Sequence, residues 1–182
     1  MVKIAIIPGN ISCEDVEQCN WYAWARDKIN QVTDVECVLR QMPDPAGAKE
    51  SIWIPFMQDV LKCDESTIII GHSSGAVAAM RYAETHTVLG IFLVSAYVTD
   101  VGDENERASG YFNRPWEWEK IKSNTKFIVQ FGSEDDPYLP WESEQMQVVK
   151  GLNPELYRYQ DKGHFMTTTL PELIPVVKKH AN

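Results

Sequence analysis

The segment Ile68-Ile69-Ile70-Gly71-His72-Ser73-Ser74-Gly75-Ala76-Val77-Ala78-Ala79-Met80 sets a serine in the pattern G-x-S-x-G, after a run of isoleucines and before an alanine-rich stretch. The pattern alone is short, and its setting is what makes it informative. A strand that turns sharply into a helix would hold Ser73 in a strained backbone conformation with Oγ projecting above the sheet, and Gly71 and Gly75 would leave room for the turn. The backbone N–H of Ser74, at the start of that helix, would then face an oxyanion forming beside Ser73. The chemistry this predicts is attack by an activated serine.

Such a serine needs a base, and the base an orienting carboxylate. After a turn of this kind the partners follow in the chain order Ser, Asp or Glu, His. Of the four histidines, His72 adjoins the serine and is expected to point away from it, His86 ends the following helix, and His180 lies in a terminal stretch expected to fray. His164 is placed best, in Asp161-Lys162-Gly163-His164-Phe165, a loop after the last strand where a glycine permits the turn. The acid is sought in Gly132-Ser133-Glu134-Asp135-Asp136-Pro137-Tyr138-Leu139-Pro140, after the strand containing Ile128–Phe131, where Asp136 and Asp135 both qualify. A second oxyanion donor should come from the loop after an early strand. Pro8-Gly9-Asn10-Ile11 occupies that position, with the Asn10 N–H as donor.

These side chains require a scaffold of alternating strands and helices. Short apolar runs predict strands at Val2–Pro8, Val35–Arg40, Thr67–Gly71, Leu89–Ser95, Lys126–Gly132 and Leu156–Gln160. Longer amphipathic runs predict helices at Val16–Asn30, Ser51–Leu61, Ser74–His86, Trp141–Gly151 and Leu170–His180. That alternation indicates an α/β domain with a mostly parallel sheet of six strands, covered by helices on both faces and spanning residues 1–182 as a single unit. One excursion, Ala96–Asn124, is too long for an ordinary connection and reads as a lid-like insertion at the carboxyl edge of the sheet.

Composition narrows the partners. The 182 residues carry 26 acidic and 17 basic side chains, a formal net charge of −9. Such a field repels phosphate backbones and anionic lipid, so nucleic acid and membrane surfaces are not expected partners. No apolar run approaches the roughly 20 residues of a membrane span. The N-terminal run is too short for a signal sequence and reads as a first buried strand. Cys13, Cys19, Cys37 and Cys63 form no C-x-x-C pair and have no histidine at metal-ligand spacing. Free thiols, no metal, and a reduced cytoplasmic or nuclear location are expected.

Met42-Pro43-Asp44-Pro45, Glu50-Ser51-Ile52-Trp53, the elbow continued through Met80-Arg81-Tyr82-Ala83-Glu84-Thr85-His86, the run Gly102–Phe112, and Gly163-His164-Phe165 carry a further signal. Over nearly its whole length the chain resembles the retinoblastoma-binding protein 9 family, small intracellular serine hydrolases of the α/β-hydrolase fold without a large cap domain. The D-x-x-L-P arrangement beginning at Asp136 looks like the acid-bearing turn of many α/β-hydrolases. The resemblance therefore implies a triad of Ser73, Asp136 and His164, with Asp135 as the alternative acid and no cofactor. A small-molecule ester or amide would be the substrate. Tyr97, Tyr111, Phe112, Trp116, Tyr138 and Phe165 are expected near the site, favouring an apolar or aromatic acyl group. The family name also draws attention to Leu61-Lys62-Cys63-Asp64-Glu65, an L-x-C-x-E pattern used by ligands of the retinoblastoma pocket. The alternative it raises is an interaction protein that binds such a partner through Leu61, Cys63 and Glu65.

Overall fold

The computed structural model describes residues 1–10 and 14–182. Six strands form one parallel sheet: β1 (Val2–Ile7), β2 (Val35–Leu39), β3 (Thr67–His72), β4 (Gly90–Val94), β5 (Phe127–Ser133) and β6 (Glu155–Tyr159), in the spatial order β2-β1-β3-β4-β5-β6. The chain begins in the interior, steps outward to β2, and returns to lay β3 on the other side of β1 before running on to β6. The order therefore reverses between β1 and β3, and their carboxyl ends frame the crevice where open α/β sheets bind ligands.

Strand periodicity determines what each face buries. Along β3, Ile68 and Ile70 enter one hydrophobic cluster while Ile69 enters the other. The first cluster joins Ile68, Ile70, Phe92 and Val94 to α1 (Tyr22–Ile29) and α7 (Leu173–Ala181) through Tyr22, Ala25, Leu173 and Val177. The second joins Ala5, Ile69, Ile91 and Leu93 to α2 (Glu50–Asp59), α3 (Ser74–Thr85), α5 (Trp118–Ser123) and α6 (Met146–Leu152). Both faces of the central strands are thus dry, which is why their sequences read as unbroken apolar runs rather than as an alternation.

The structure departs from the predicted elements where helices are short or anchored by polar contacts. Only Tyr22–Ile29 of the predicted Val16–Asn30 is α-helical, preceded by a 3₁₀ turn at Val16–Gln18. The first turn of the predicted Trp141–Gly151 helix is π-helical, Trp141–Gln145, and places the buried Gln145 amide against the end of β5. The 96–124 insertion contains α4 (Glu104–Ser109) as well as α5. Helix α4 is closed by an Asp103 side-chain cap and by Gly110 at φ +93°. At six residues each, these two show no apolar period to read. His180 is not frayed: its ring stacks on Phe127 at 4.2 Å and it shares a 2.8 Å contact with Glu155.

One expectation about cysteine changes. Cys37 and Cys63 are buried free thiols, and burial pushes both up to about 12. Cys19, expected free, is disulfide-bonded. Cys13 lies outside the described residues.

Candidate active site

Ser73 follows β3 and caps α3 with φ +54° and ψ −116°, a conformation that L residues adopt only under constraint. Backbone packing imposes it. A Cβ on Gly71 would lie 2.2 Å from the Gly75 carbonyl oxygen, and one on Gly75 would lie 2.1 Å from the Ile7 carbonyl oxygen. The two glycines therefore let α3 start directly against the end of β1. The turn leaves Ser73 Oγ free to reach across the sheet edge.

His164 Nε2 lies 3.0 Å from Ser73 Oγ, and its Nδ1 lies 2.8 Å from Asp136 Oδ2. The other Asp136 oxygen accepts the backbone N–H groups of Tyr138 at 2.9 Å and Leu139 at 3.1 Å. With its side chain fully shielded, Asp136 has its remaining acceptor capacity satisfied by the turn that carries it. That turn is held in place by Gln145, whose amide donates to the carbonyls of Ser133 and Leu139 and accepts the Ser133 N–H.

Asp135 faces elsewhere. It accepts Ser133 Oγ–H at 2.6 Å and the Gly163 N–H at 2.8 Å, which together hold its carboxyl below the usual range. Ser133 Oγ in turn accepts the Lys162 N–H at 3.0 Å. Asp135 therefore ties the His164 loop to the end of β5 without touching the imidazole. Asp136→Asn should lower kcat roughly 10⁴-fold, because the amide favours the wrong imidazole tautomer. Asp135→Ala, which only loosens the loop, should cost about tenfold. Steady-state kinetics on the two folded variants checks this, and equal losses would make the assignment of the acid wrong.

Around Ser73 lies a cavity of about 600 Å³. Gly9 and Asn10 border it, and a Cβ on Gly9 would lie 3.4 Å from Ser73 Cβ, so the loop after β1 does pass beside the serine. Ile11, the last residue of the predicted oxyanion loop, lies outside the described residues. Asn10 Nδ2 donates to Glu106 Oε1 at 2.8 Å, Tyr97 Oη donates to Glu106 Oε2 at 2.7 Å, and Tyr97 Oη lies 3.2 Å from Ser74 Oγ. Burial holds the Glu106 carboxyl above its ordinary range. Through this one carboxylate, helix α4 joins the two residues proposed to carry the oxyanion donors.

Of the six aromatics expected here, Tyr97 and Tyr138 line the cavity. Tyr111 is buried in the core, Phe112 and Trp116 pack against that core, and Phe165 belongs to the cluster on the opposite face. None of these four reaches the cavity wall. The lining adds Val101, Asp103, Asn105, Glu106, Leu139 and Met166, a more polar and acidic surface than the aromatic count implied. These residues come from loops and α4, and no periodicity marks them. Among the described residues, no group of three or more His, Cys, Asp or Glu could hold a metal ion, and no helix is long and apolar enough to cross a membrane.

His72 lines the cavity too, but its ring nitrogens engage partners other than Ser73. It is fully buried, with Nδ1 2.7 Å from Tyr22 Oη and Nε2 2.8 Å from the His164 carbonyl oxygen. Burial, reinforced by repulsion from His164, pulls it down to about 3. Its folded pKa thus lies below the unfolded value near 6.5, so in that interval the unfolded chain binds the extra proton. This contribution to stability is complete above pH ~6.5 and is lost as pH falls toward 3, at up to ~1.4 kcal/mol per pH unit. Glu155 is held down to about 2, chiefly by Lys179, so its contribution is complete above the ordinary carboxylate range and is lost only as pH falls below it. Glu106, raised by burial, acts in the opposite sense, so the His72 part is read as the difference between wild type and His72→Gln in urea unfolding between pH 5 and 6.5, where the variant should show the flatter profile. Identical slopes for the two proteins would contradict this account.

In the L-x-C-x-E segment, Leu61 and Cys63 are buried in the core and Glu65 is exposed. The Cys63 carbonyl accepts Tyr82 Oη–H at 2.7 Å, and Lys3 Nζ donates to the Leu61 carbonyl. A pocket partner could take both side chains only after local unfolding of this segment.

A family model described as serine hydrolase matches residues 4–175. The chain is 58% identical over 176 residues to the Rattus norvegicus protein named serine hydrolase RBBP9, which covers 97% of this chain and 94% of that one. Among solved structures, the ydeN gene product of B. subtilis matches with a TM-score of 0.85 at 21% identity, covering 99% of this chain and 98% of the other. Est1E from Butyrivibrio proteoclasticus, solved with ferulic acid bound, matches with a TM-score of 0.72 at 11% identity, covering 98% and 87%. At these identities the two structures speak to the fold.

Proposed function

Because this chain belongs to the serine hydrolase family, we propose that it cleaves small ester or amide substrates through Ser73, His164 and Asp136, by way of a covalent acyl-enzyme. The observation carrying this reading is the unbroken contact from Asp136 Oδ2 through the His164 ring to Ser73 Oγ, opening on a cavity. Ser73 Oγ attacks the carbonyl carbon as His164 Nε2 takes its proton, and Asp136 stabilises the imidazolium. The backbone N–H groups of Ser74 and Asn10 receive the oxyanion. On collapse, the bond to the leaving group breaks and His164 returns the proton to it. Water then attacks the acyl carbon with His164 again as base, releasing the acid and restoring Ser73.

The wall favours a compact acyl group with an apolar part, set against Val101, Tyr138, Leu139 and Met166. Asp103 and Glu106 also line the cavity and, among the described residues, no Lys or Arg does, so a carboxylate on the substrate would meet like charge there. Labelling by a fluorophosphonate probe tests the nucleophile, with Ser73→Ala and His164→Ala as controls. A panel of p-nitrophenyl esters tests the wall: neutral short-chain and aromatic acyl groups should exceed a succinyl hemiester in kcat/KM by about tenfold or more. A wild-type protein that resists the probe would remove this function, and a preferred succinyl ester would remove the charge selection.

A further inference from the structure

Two neighbours fix the tautomer of His72. Tyr22 Oη accepts the Gly9 N–H at 3.0 Å and Asn20 Nδ2–H at 3.2 Å, which leaves its single proton to donate to His72 Nδ1. The His164 carbonyl can only accept, so His72 Nε2 must carry the ring proton and donate it there, at 2.8 Å. Both ends demand the same neutral Nε2–H form. The next carbonyl along, that of Phe165, accepts Trp21 Nε1–H at 3.0 Å. Two consecutive carbonyls of the histidine loop are thus held by two consecutive aromatics at the start of α1, one directly and one through His72. The loop needs such a hold, because Phe165 sits at φ +54°, a left-handed conformation that strains any residue with a side chain.

We propose that His72 is a positioning residue: by joining the His164 backbone to Tyr22 and Gly9, it sets the general base and the oxyanion loop as one rigid unit around Ser73. This rests on the reading of Ser73 and His164 as nucleophile and base. His72 touches no reacting atom. It acts on where His164 Nε2 stands relative to Ser73 Oγ, and on where the loop carrying Asn10 stands relative to the same serine. Its ring lies 5.2 Å from that of His164, so its neutrality also keeps a second positive charge away from the imidazolium formed during attack.

The experiment compares His72→Asn, His72→Gln and Tyr22→Phe with wild type, after circular dichroism and thermal melting establish folding. The readouts are kcat and KM on a neutral p-nitrophenyl ester and the second-order rate of fluorophosphonate labelling. Asn reproduces a group near Nδ1 but cannot reach the His164 carbonyl, whereas the Gln amide reaches it as Nε2 does. His72→Asn should therefore lose about 10²-fold in kcat and labelling rate with KM changed by less than about twofold, and His72→Gln should recover to within about tenfold of wild type. Tyr22→Phe keeps the shape of the site, frees Gly9 and removes the donor to Nδ1, and should lose about tenfold in kcat. Equal kcat in the Asn and Gln variants, or losses confined to KM, overturn the positioning role. If neither His72 variant folds, Tyr22→Phe decides, and an unchanged kcat there overturns it. Wild type that labels while its variants label equally fast removes this inference alone, and wild type that does not label removes the nucleophile reading with it.

Discussion

Ser73→Ala is expected to abolish fluorophosphonate labelling and to lower kcat by roughly 10⁴–10⁶-fold, with melting temperature little changed. The magnitude follows from the geometry. Ser73 Oγ is the atom from which the new bond must form, and with it gone the 3.0 Å contact to His164 Nε2 has no nucleophile to activate. The stability expectation follows from the backbone: alanine keeps the Cβ and hence the same strain at φ +54°, so removing Oγ changes little but the contact to His164. His164→Ala should be nearly as damaging, and the double variant no worse than the worse single one, because nucleophile and base act as a unit. Turnover on an activated ester and intact-mass detection of the adduct check this. A Ser73→Ala protein that keeps more than about a tenth of wild-type kcat would move the nucleophile elsewhere.

The second large effect lies outside the cavity. Arg81→Met is expected to cost about 3–5 kcal/mol, a large share of the 5–15 kcal/mol that stabilises a domain of this kind. Arg81 is wholly buried on α3 and donates to Glu84 at 2.6 Å, twice to the Tyr111 carbonyl at 2.6 and 3.0 Å, and to the carbonyls of Arg114 at 2.9 Å and Pro115 at 3.0 Å. Its guanidinium lies 3.7 Å over the Trp116 ring, and Glu84 also accepts the Glu117 N–H at 3.0 Å. One side chain thus satisfies the backbone of a loop that has little regular structure of its own. Methionine would fill the space but leave the buried Tyr111 carbonyl and the Glu84 carboxylate without their Arg81 donor, and the half-buried Arg114 and Pro115 carbonyls with them. Urea unfolding reads the loss, and hydrogen exchange should show amides at 111–117 opening first. Arg81→Met with Glu84→Leu should recover part of it, because the stranded charge is then gone. A single variant as stable as wild type would mean that solvent reaches these carbonyls.

This clamp bears on the insertion at 96–124. Its length and composition indicate an irregular segment at the carboxyl edge of the sheet, and its first half does border the cavity through Tyr97, Val101, Asp103, Asn105 and Glu106. The second half is pinned to α3 by Arg81, and α5 packs beneath it into the core. No local pattern distinguishes the two halves, because the distinction depends on Arg81 and Glu84, about thirty residues earlier in the chain.

Residue order alone makes legible whatever local chemistry enforces. Strands covered on both faces must be continuously apolar, so β1, β3 and β4 were legible as runs, and the glycines at 71 and 75 could be read because only a residue without a Cβ allows α3 to start against β1. Ser73 and His164 could be named from chain order and from the turns that carry them, and the acid narrowed to Asp135 or Asp136, with the resemblance favouring Asp136. Tertiary structure alone decided which way each neighbouring polar group faces. Asp135 and Asp136 are adjacent carboxylates, and only the path of the 161–165 loop over the end of β5 turns one to the imidazole and the other to Gly163. The aromatics at 111, 112, 116 and 165 were indistinguishable from cavity residues until the core claimed them. His72 bonds to Tyr22 and to the His164 carbonyl, 50 and 92 positions away, and neither contact follows any sequence period. The physical reason is common to these cases. Backbone conformation and hydrophobic periodicity are written in neighbouring residues, whereas a buried polar group takes its partner from whatever folding brings within about 3 Å.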